Sequence, residues 1–143
     1  MKKAIGFLFV TVVAVILMSS SFEKRKRGDG IQFTQITLEK AKKQAAKSGK
    51  LIFIDAYTDW CGPCKKMAAT SFKDEEVGKV FNDNFINLKI EMEKNPDGQQ
   101  VARRYNVRAY PTLLIIDANG NLVKQAIGFQ TKDRLIALAE SVL

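Results

Sequence analysis

Between residues 31 and 143 the spacing of apolar positions switches repeatedly between helical and strand-like, and turn or capping residues stand at most of the switches. Ile31 to Phe33 reads as a short extended piece. Thr37 can then cap a helix whose apolar positions Leu38, Ala41 and Ala45 share a face, with Gly49 placed to end it. Leu51-Ile52-Phe53-Ile54-Asp55-Ala56 is almost continuously apolar, as a strand covered on both faces should be. A loop from Tyr57 to Trp60 leads into a helix beginning near Cys61, and Asp74 can cap a further helical stretch carrying Val77, Val80 and Phe81. Phe85 to Ile90 is the next strand. Asn95-Pro96 marks a helix start ahead of Val101, Ala102 and Tyr105.

Tyr110-Pro111 breaks the chain before the strand Thr112 to Ile116, and Asp117-Ala118-Asn119-Gly120-Asn121 is a hairpin turn into Leu122 to Ile127. Thr131 caps a last helix with Leu135, Leu138, Ala139 and Val142 on one face. The predicted order is β-α-β-α-β-α-β-β-α: an α/β fold with parallel strands joined by crossovers, a terminal antiparallel hairpin, and helices on both faces of a central mixed sheet.

The chain of 143 residues has room for one such domain, residues 31–143, and a leader. Residues 1–22 place Lys2-Lys3 before an apolar run, Ala4 to Met18, which is followed by small polar residues: the layout of a signal peptide. Its 15 residues make a helix of about 22 Å, short for a bilayer core of about 30 Å, so an N-terminal membrane anchor is the alternative. Residues 23–30 read as a flexible basic linker. Half of the net charge of +8 lies in residues 1–30, and residues 31–143 carry 17 cations against 13 carboxylates, without the interleaved aromatics of an RNA-binding surface. No nucleic-acid partner is expected.

The absence of histidine removes Ser-His and Cys-His catalysis and the commonest transition-metal ligand, and two cysteines are half of a structural zinc site. No metal and no cofactor are expected. A C-x-x-C where a strand meets a helix has another use, because the unpaired amides of the first helical turn stabilise a thiolate on the first sulfur. Cys61 is the expected nucleophile, and Cys64, a turn later and less exposed, the resolving thiol. Gly62 would let the backbone turn closely and Pro63 fits a first helical turn. A static disulfide is the competing reading, but closing so short a loop contributes only about 2 kcal/mol in the chain-entropy model. Asp55 interrupts its strand six positions before Cys61 and is either a buried proton acceptor for Cys64 or a strand-end acid that turns to solvent or caps a helix.

Trp60-Cys61-Gly62-Pro63-Cys64-Lys65 and Val107-Arg108-Ala109-Tyr110-Pro111-Thr112-Leu113 together resemble the active site and the cis-proline segment of the thioredoxin superfamily, and the resemblance covers residues 31–143. It implies a thioredoxin fold, a redox disulfide between Cys61 and Cys64, Asp55 as the family's buried acid, and Lys89 as the lysine approaching it. It also implies a cis Pro111 beside the cysteine pair, Tyr110 offering backbone hydrogen bonds to substrate, and Gly128 at the groove edge. Three departures matter. Ala69 stands where thioredoxins usually kink the helix with proline, and Thr70 to Val77 is more similar to the C-terminal periplasmic domain of the disulfide reductase DsbD. Tyr110 is similar to protein disulfide isomerase domains instead.

These readings lead to an expected protein-disulfide reductase, periplasmic or otherwise exported. It would be a monomer acting on disulfide-containing proteins and recharged by a membrane electron donor of DsbD or CcdA type. An oxidase or isomerase is the alternative within the same chemistry, and a non-catalytic peptide-binding module lies outside it.

Overall fold

The computed structural model describes residues 30–143, so the leader 1–22 and all of the linker except Gly30 lie outside the described residues. Five helices and four strands follow in the order α1 (Leu38–Ser48), β1 (Leu51–Tyr57), α2 (Gly62–Ala69), α3 (Glu75–Asn84), β2 (Phe85–Glu91), α4 (Gly98–Arg104), β3 (Thr112–Ile116), β4 (Leu122–Ile127) and α5 (Lys132–Glu140), with a single 3₁₀ turn at Ser71–Lys73 between α2 and α3. The strands lie side by side as β2-β1-β3-β4.

Two expectations fail here. Ile31 to Phe33 is not a strand: only Thr34 bridges to Leu88, its amide and hydroxyl both donating to the Asn87 carbonyl at 2.9 and 3.1 Å. Ile31 is buried instead as a side chain, and Phe33 rests against Phe53 and Phe72, so burial rather than a ladder fixes this segment. The second concerns β3, which runs antiparallel to β1, opposite to the crossover expected. β1 and β2 are parallel as expected, and the β3–β4 hairpin is antiparallel. After the short α4, residues 105–111 carry the chain back to the end of the sheet from which β2 left, so Thr112 pairs with Ala56 near the end of β1.

Alternation along β1 and β3 divides the core. Ile52, Ile54, Ala56, Leu114 and Ile116 meet α1 and α4 through Leu38, Ala41, Ala45, Val101 and Tyr105. Phe53, Leu113 and Ile115 face the opposite way, onto Met67 of α2, Val77 and Phe81 of α3, and Leu135 and Leu138 of α5. Strands covered on both sides leave no polar face, which is why their sequences read as unbroken apolar runs. Period-two alternation puts Asp55 on the Phe53 side, the side of the cysteine helix.

Caps at the helix starts follow the sequence with one exchange. Thr37, Asp74 and Thr131 accept amides of their own helices. The helix expected from Asn95 begins at Gly98: Asn95 Oδ1 accepts the Asp97 amide at 2.9 Å in the turn before it, while the Asp97 carboxylate accepts the first amide of α1, on Leu38, at 2.8 Å and leaves α4 without a side-chain cap. Gly30, read as the end of the linker, belongs to the fold. It lies at φ +70°, its carbonyl accepts the Asn82 side-chain amide at 3.0 Å, and it sits so close to α3 that a Cβ on Gly78 would overlap it.

Candidate active site

The turn Thr58–Trp60 carries the chain from β1 to Cys61, which caps α2: its Sγ accepts the Cys64 amide at 3.2 Å and its own amide donates to the Thr58 carbonyl at 3.2 Å. Pro63 falls in the first helical turn, where its missing N–H costs no hydrogen bond. Cys61 and Cys64 are joined as a disulfide with their Cα atoms 5.3 Å apart. The difference in exposure read from the sequence is absent, for Cys61 is 3% and Cys64 2% exposed. Cys61 turns inward to cap its helix, so the asymmetry between the sulfurs is electrostatic: only Cys61 Sγ accepts a backbone amide of the helix start. Gly62 also differs from expectation, since its backbone is outside the left-handed region and a Cβ there would meet nothing within 4 Å. The space beside Gly62 is open.

Asp55 is 1% exposed, which decides between its two readings in favour of burial. Neither carboxylate oxygen makes a hydrogen bond among the described residues, and the nearby Thr58 hydroxyl of the same segment is likewise buried and unpaired. Loss of water raises its pKa from 3.8 to about 7, against the opposing pull of Lys89. The Lys89 ammonium stands 3.7 Å from Asp55 Oδ2, an ion-pair distance too long for a hydrogen bond, and lies 4.4 Å from the centre of the Tyr57 ring. The parallel register places Asp55 opposite Lys89, so the pairing is written into the sheet. An acid poised near neutrality can take a proton from a thiol and return it within one turnover.

A second wall comes from the segment before β3. The Tyr110–Pro111 peptide bond is cis, the Tyr110 ring meets Trp60 edge-on with centres 5.9 Å apart, and the Pro111 carbonyl accepts the Gly128 amide at 2.8 Å. Gly128 has φ +84°, a conformation that favours glycine. Trp60 and Ile127 are 66% and 62% exposed. The described structure thus gathers Trp60, Tyr110, Pro111 and Gly128 into one apolar rim, and sets Asp55 and Lys89 below on neighbouring strands.

One group escaped the sequence reading. Glu91, the last residue of β2, is buried, and its carboxylate accepts the amide of Asp59 at 3.2 Å through one oxygen and those of Glu93 and Lys94 through the other. Glu93 accepts the indole N–H of Trp60 at 3.1 Å, and Lys94 pairs with Asp59 at 2.6 Å. The turn before Cys61 is therefore held from β2 by side chains. The signal was faint: Glu91 stands between the apolar Ile90 and Met92 at the end of the strand, and Tyr57 is its register partner. Replacing Glu91 with Ala strands three amides, each loss of a charged acceptor costing about 1.5–3 kcal/mol at most. Exchange of the Asp59, Glu93 and Lys94 amides should accelerate by at least about tenfold, measured by hydrogen-deuterium exchange with NMR. Unchanged rates at Asp59 would show that the clamp carries nothing.

Comparison with known proteins agrees with this geometry. A thioredoxin-like domain family model matches residues 38–143. The thiol:disulfide interchange protein DsbD of Haemophilus influenzae is 31% identical over 118 residues, covering 79% of this chain and 20% of that protein, so the chain spans about a fifth of the length of that relative. Among solved structures, a candidate disulphide-isomerase from Bacteroides thetaiotaomicron shares 39% identity at a TM-score of 0.69, covering 81% of this chain and 98% of the other. The C-terminal domain of DsbD from Neisseria meningitidis matches at 24% identity and a TM-score of 0.62, covering 79% of this chain and 99% of that domain, a likeness of fold. With a mixed sheet between two helical layers and a Cys-Gly-Pro-Cys disulfide capping a helix, the chain belongs to the thioredoxin-like family of thiol-disulfide oxidoreductases.

Proposed function

We propose that this protein reduces protein disulfides outside the cytoplasm. The observation that carries the reading is the helix-capping Cys61, whose sulfur already accepts a backbone amide and so would be stabilised as a thiolate once the disulfide is reduced. The Cys61 thiolate attacks one sulfur of a substrate disulfide. A mixed disulfide forms and the other substrate sulfur leaves as a thiolate. Cys64 then gives its proton to the Asp55 carboxylate and attacks Cys61, which closes the Cys61–Cys64 disulfide and releases the second substrate thiolate. Two electrons pass from the dithiol to the substrate. Trp60, Tyr110, Pro111 and Gly128 would hold the substrate strand, with the Tyr110 backbone, which makes no backbone hydrogen bond among the described residues, as its partner.

Export is supported by the signal-like layout of residues 1–22, and exported reduction requires electrons from across the membrane. A donor of DsbD or CcdA type fits, and the matches to DsbD support that choice. A monomer suffices, since the whole dithiol site comes from one chain. Equilibration with glutathione tests the direction: a reductase should show a potential near about −270 mV, and one near about −120 mV would mark an oxidant instead. Recovery of activity from scrambled substrates faster than reduction of insulin would favour the isomerase reading that the Bacteroides relative's description suggests.

A further inference from the structure

Charge is divided unequally between the two sides of the sheet. The side covered by α2, α3, α5 and the turn between α2 and α3 carries six cations and six carboxylates. Several are paired there, Lys79 with Asp83 at 3.0 Å and Lys132 with Glu76 at 2.7 Å. The opposite side differs. From α1 through Lys50, and from Asp97 through α4 to Arg108, it carries eight cations and two carboxylates. Both acids are occupied within it: Glu39 pairs with Lys42 at 3.0 Å and Asp97 accepts the Leu38 amide. Lys40, Lys43 and Lys47 recur at helical spacing opposite the buried Leu38, Ala41 and Ala45. Together with Arg103, Arg104 and Arg108 they are exposed, and none pairs with a carboxylate among the described residues.

We infer that the α1/α4 face docks on an anionic phospholipid surface. A protein partner would look for an aromatic or aliphatic anchor at the centre of its interface, where lysine is depleted. None of the large exposed apolar side chains, Trp60, Leu122, Val123, Ile127 and Leu143, lies on α1 or α4. A single-stranded nucleic acid would look for stacking platforms, and this face has none. A broad set of unpaired cations without anchors matches a surface of diffuse negative charge, to which each nearby Lys or Arg adds attraction. The chain supplies an independent pointer, because it enters the domain from Lys24-Arg25-Lys26-Arg27, which follow the apolar run Ala4 to Met18. α1 begins beside Asp97, and β3 begins at Thr112 opposite Ala56, so this face reaches the end of the sheet where Pro111 and the cysteine pair lie. Docked in this way, the redox end sits at the border of the bilayer and remains open to a partner. The inference does not rest on the direction of the redox reaction.

Acetylation footprinting of the full chain tests it in phosphatidylglycerol and in phosphatidylcholine vesicles, with the rate at each lysine read by mass spectrometry. Comparing the lipids cancels whatever residues 4–18 contribute in both. Lys40, Lys43 and Lys47 should react at least about fivefold more slowly on phosphatidylglycerol, while Lys73 and Lys79 on the balanced side keep their rates. Sodium chloride at about 0.5 M should erase the difference by screening. Equal rates at the α1 lysines in the two lipids overturn the inference, as does equal slowing on both sides of the sheet. Protection by duplex DNA without protection by phosphatidylglycerol assigns the face to another polyanion and overturns it too.

Discussion

Cys61→Ser should abolish insulin reduction, lowering the rate by roughly a thousandfold or more, whereas Cys64→Ser should stop turnover only after the first chemical step. The difference follows from the cap. Cys61 Sγ is the sulfur that accepts an amide of the helix start, at 3.2 Å from the Cys64 nitrogen, so it gains most from carrying negative charge. A serine hydroxyl at that position has no accessible anion near neutral pH. With Cys64 replaced, the Cys61 thiolate still attacks, but nothing resolves the adduct, and mixed disulfides should accumulate on non-reducing gels in molar proportion to the protein. The reverse pattern, adducts with Cys61→Ser and none with Cys64→Ser, would exchange the two roles. Failure of both variants to form any adduct would favour a binding module. Mass spectrometry of the trapped adducts identifies the clients in the same experiment.

Asp55→Asn should make the oxidised protein more stable at pH 8 and slower to resolve a mixed disulfide. In the folded chain Asp55 keeps its proton up to about pH 7, while in the unfolded chain it loses it near 3.8. Between those values the folded state binds more protons than the unfolded state, so stability falls as pH rises through that window and levels off above it. The size of the shift corresponds to about 4 kcal/mol, the net cost of ionising the buried carboxylate against the opposing pull of Lys89. Asparagine removes the charge at nearly the same volume. Urea midpoints at pH 4.5 and pH 8 should therefore differ less in the variant than in the parent protein, with the gain confined to high pH. An unchanged pH dependence would mean that Asp55 ionises with an ordinary pKa. The same substitution removes the acceptor proposed for the Cys64 proton, and the mixed disulfide should live about a hundredfold longer at pH 7.

Both results depend on the relation between a short motif and its surroundings. The cysteine pair, the helix it begins, and the proline before β3 are local features, each recognisable from a few adjacent residues. Lys89 could be matched by resemblance, yet its relation to Asp55 is a matter of parallel register between β1 and β2. Glu91 was missed because its partners are three backbone amides, which leave no trace in side-chain identity. Ile31 to Phe33 was misread for a related reason. Apolar alternation says that a segment is buried, but a strand also needs a neighbouring strand for its amides, and here only Thr34 finds one, while the Ile31 and Gln32 amides donate to the Phe72 carbonyl and the Asn82 side chain.

The sequence by itself determined the positions of most helices and strands, the division of apolar residues between two core layers, and the redox character of Cys61 and Cys64. Those properties come from period, capping and nearest-neighbour chemistry, which act within a few residues. Only the tertiary structure decided the direction of β3, the burial of Asp55 and the equal burial of both sulfurs. Only it showed the Glu91 clamp and the basic side of the sheet. Each of these depends on which distant segments meet, and solvation and charge are summed over everything that lies nearby in space. The capped sulfur of Cys61 was legible in the motif, and the burial that raises the pKa of Asp55 became visible only when the sheet closed over it.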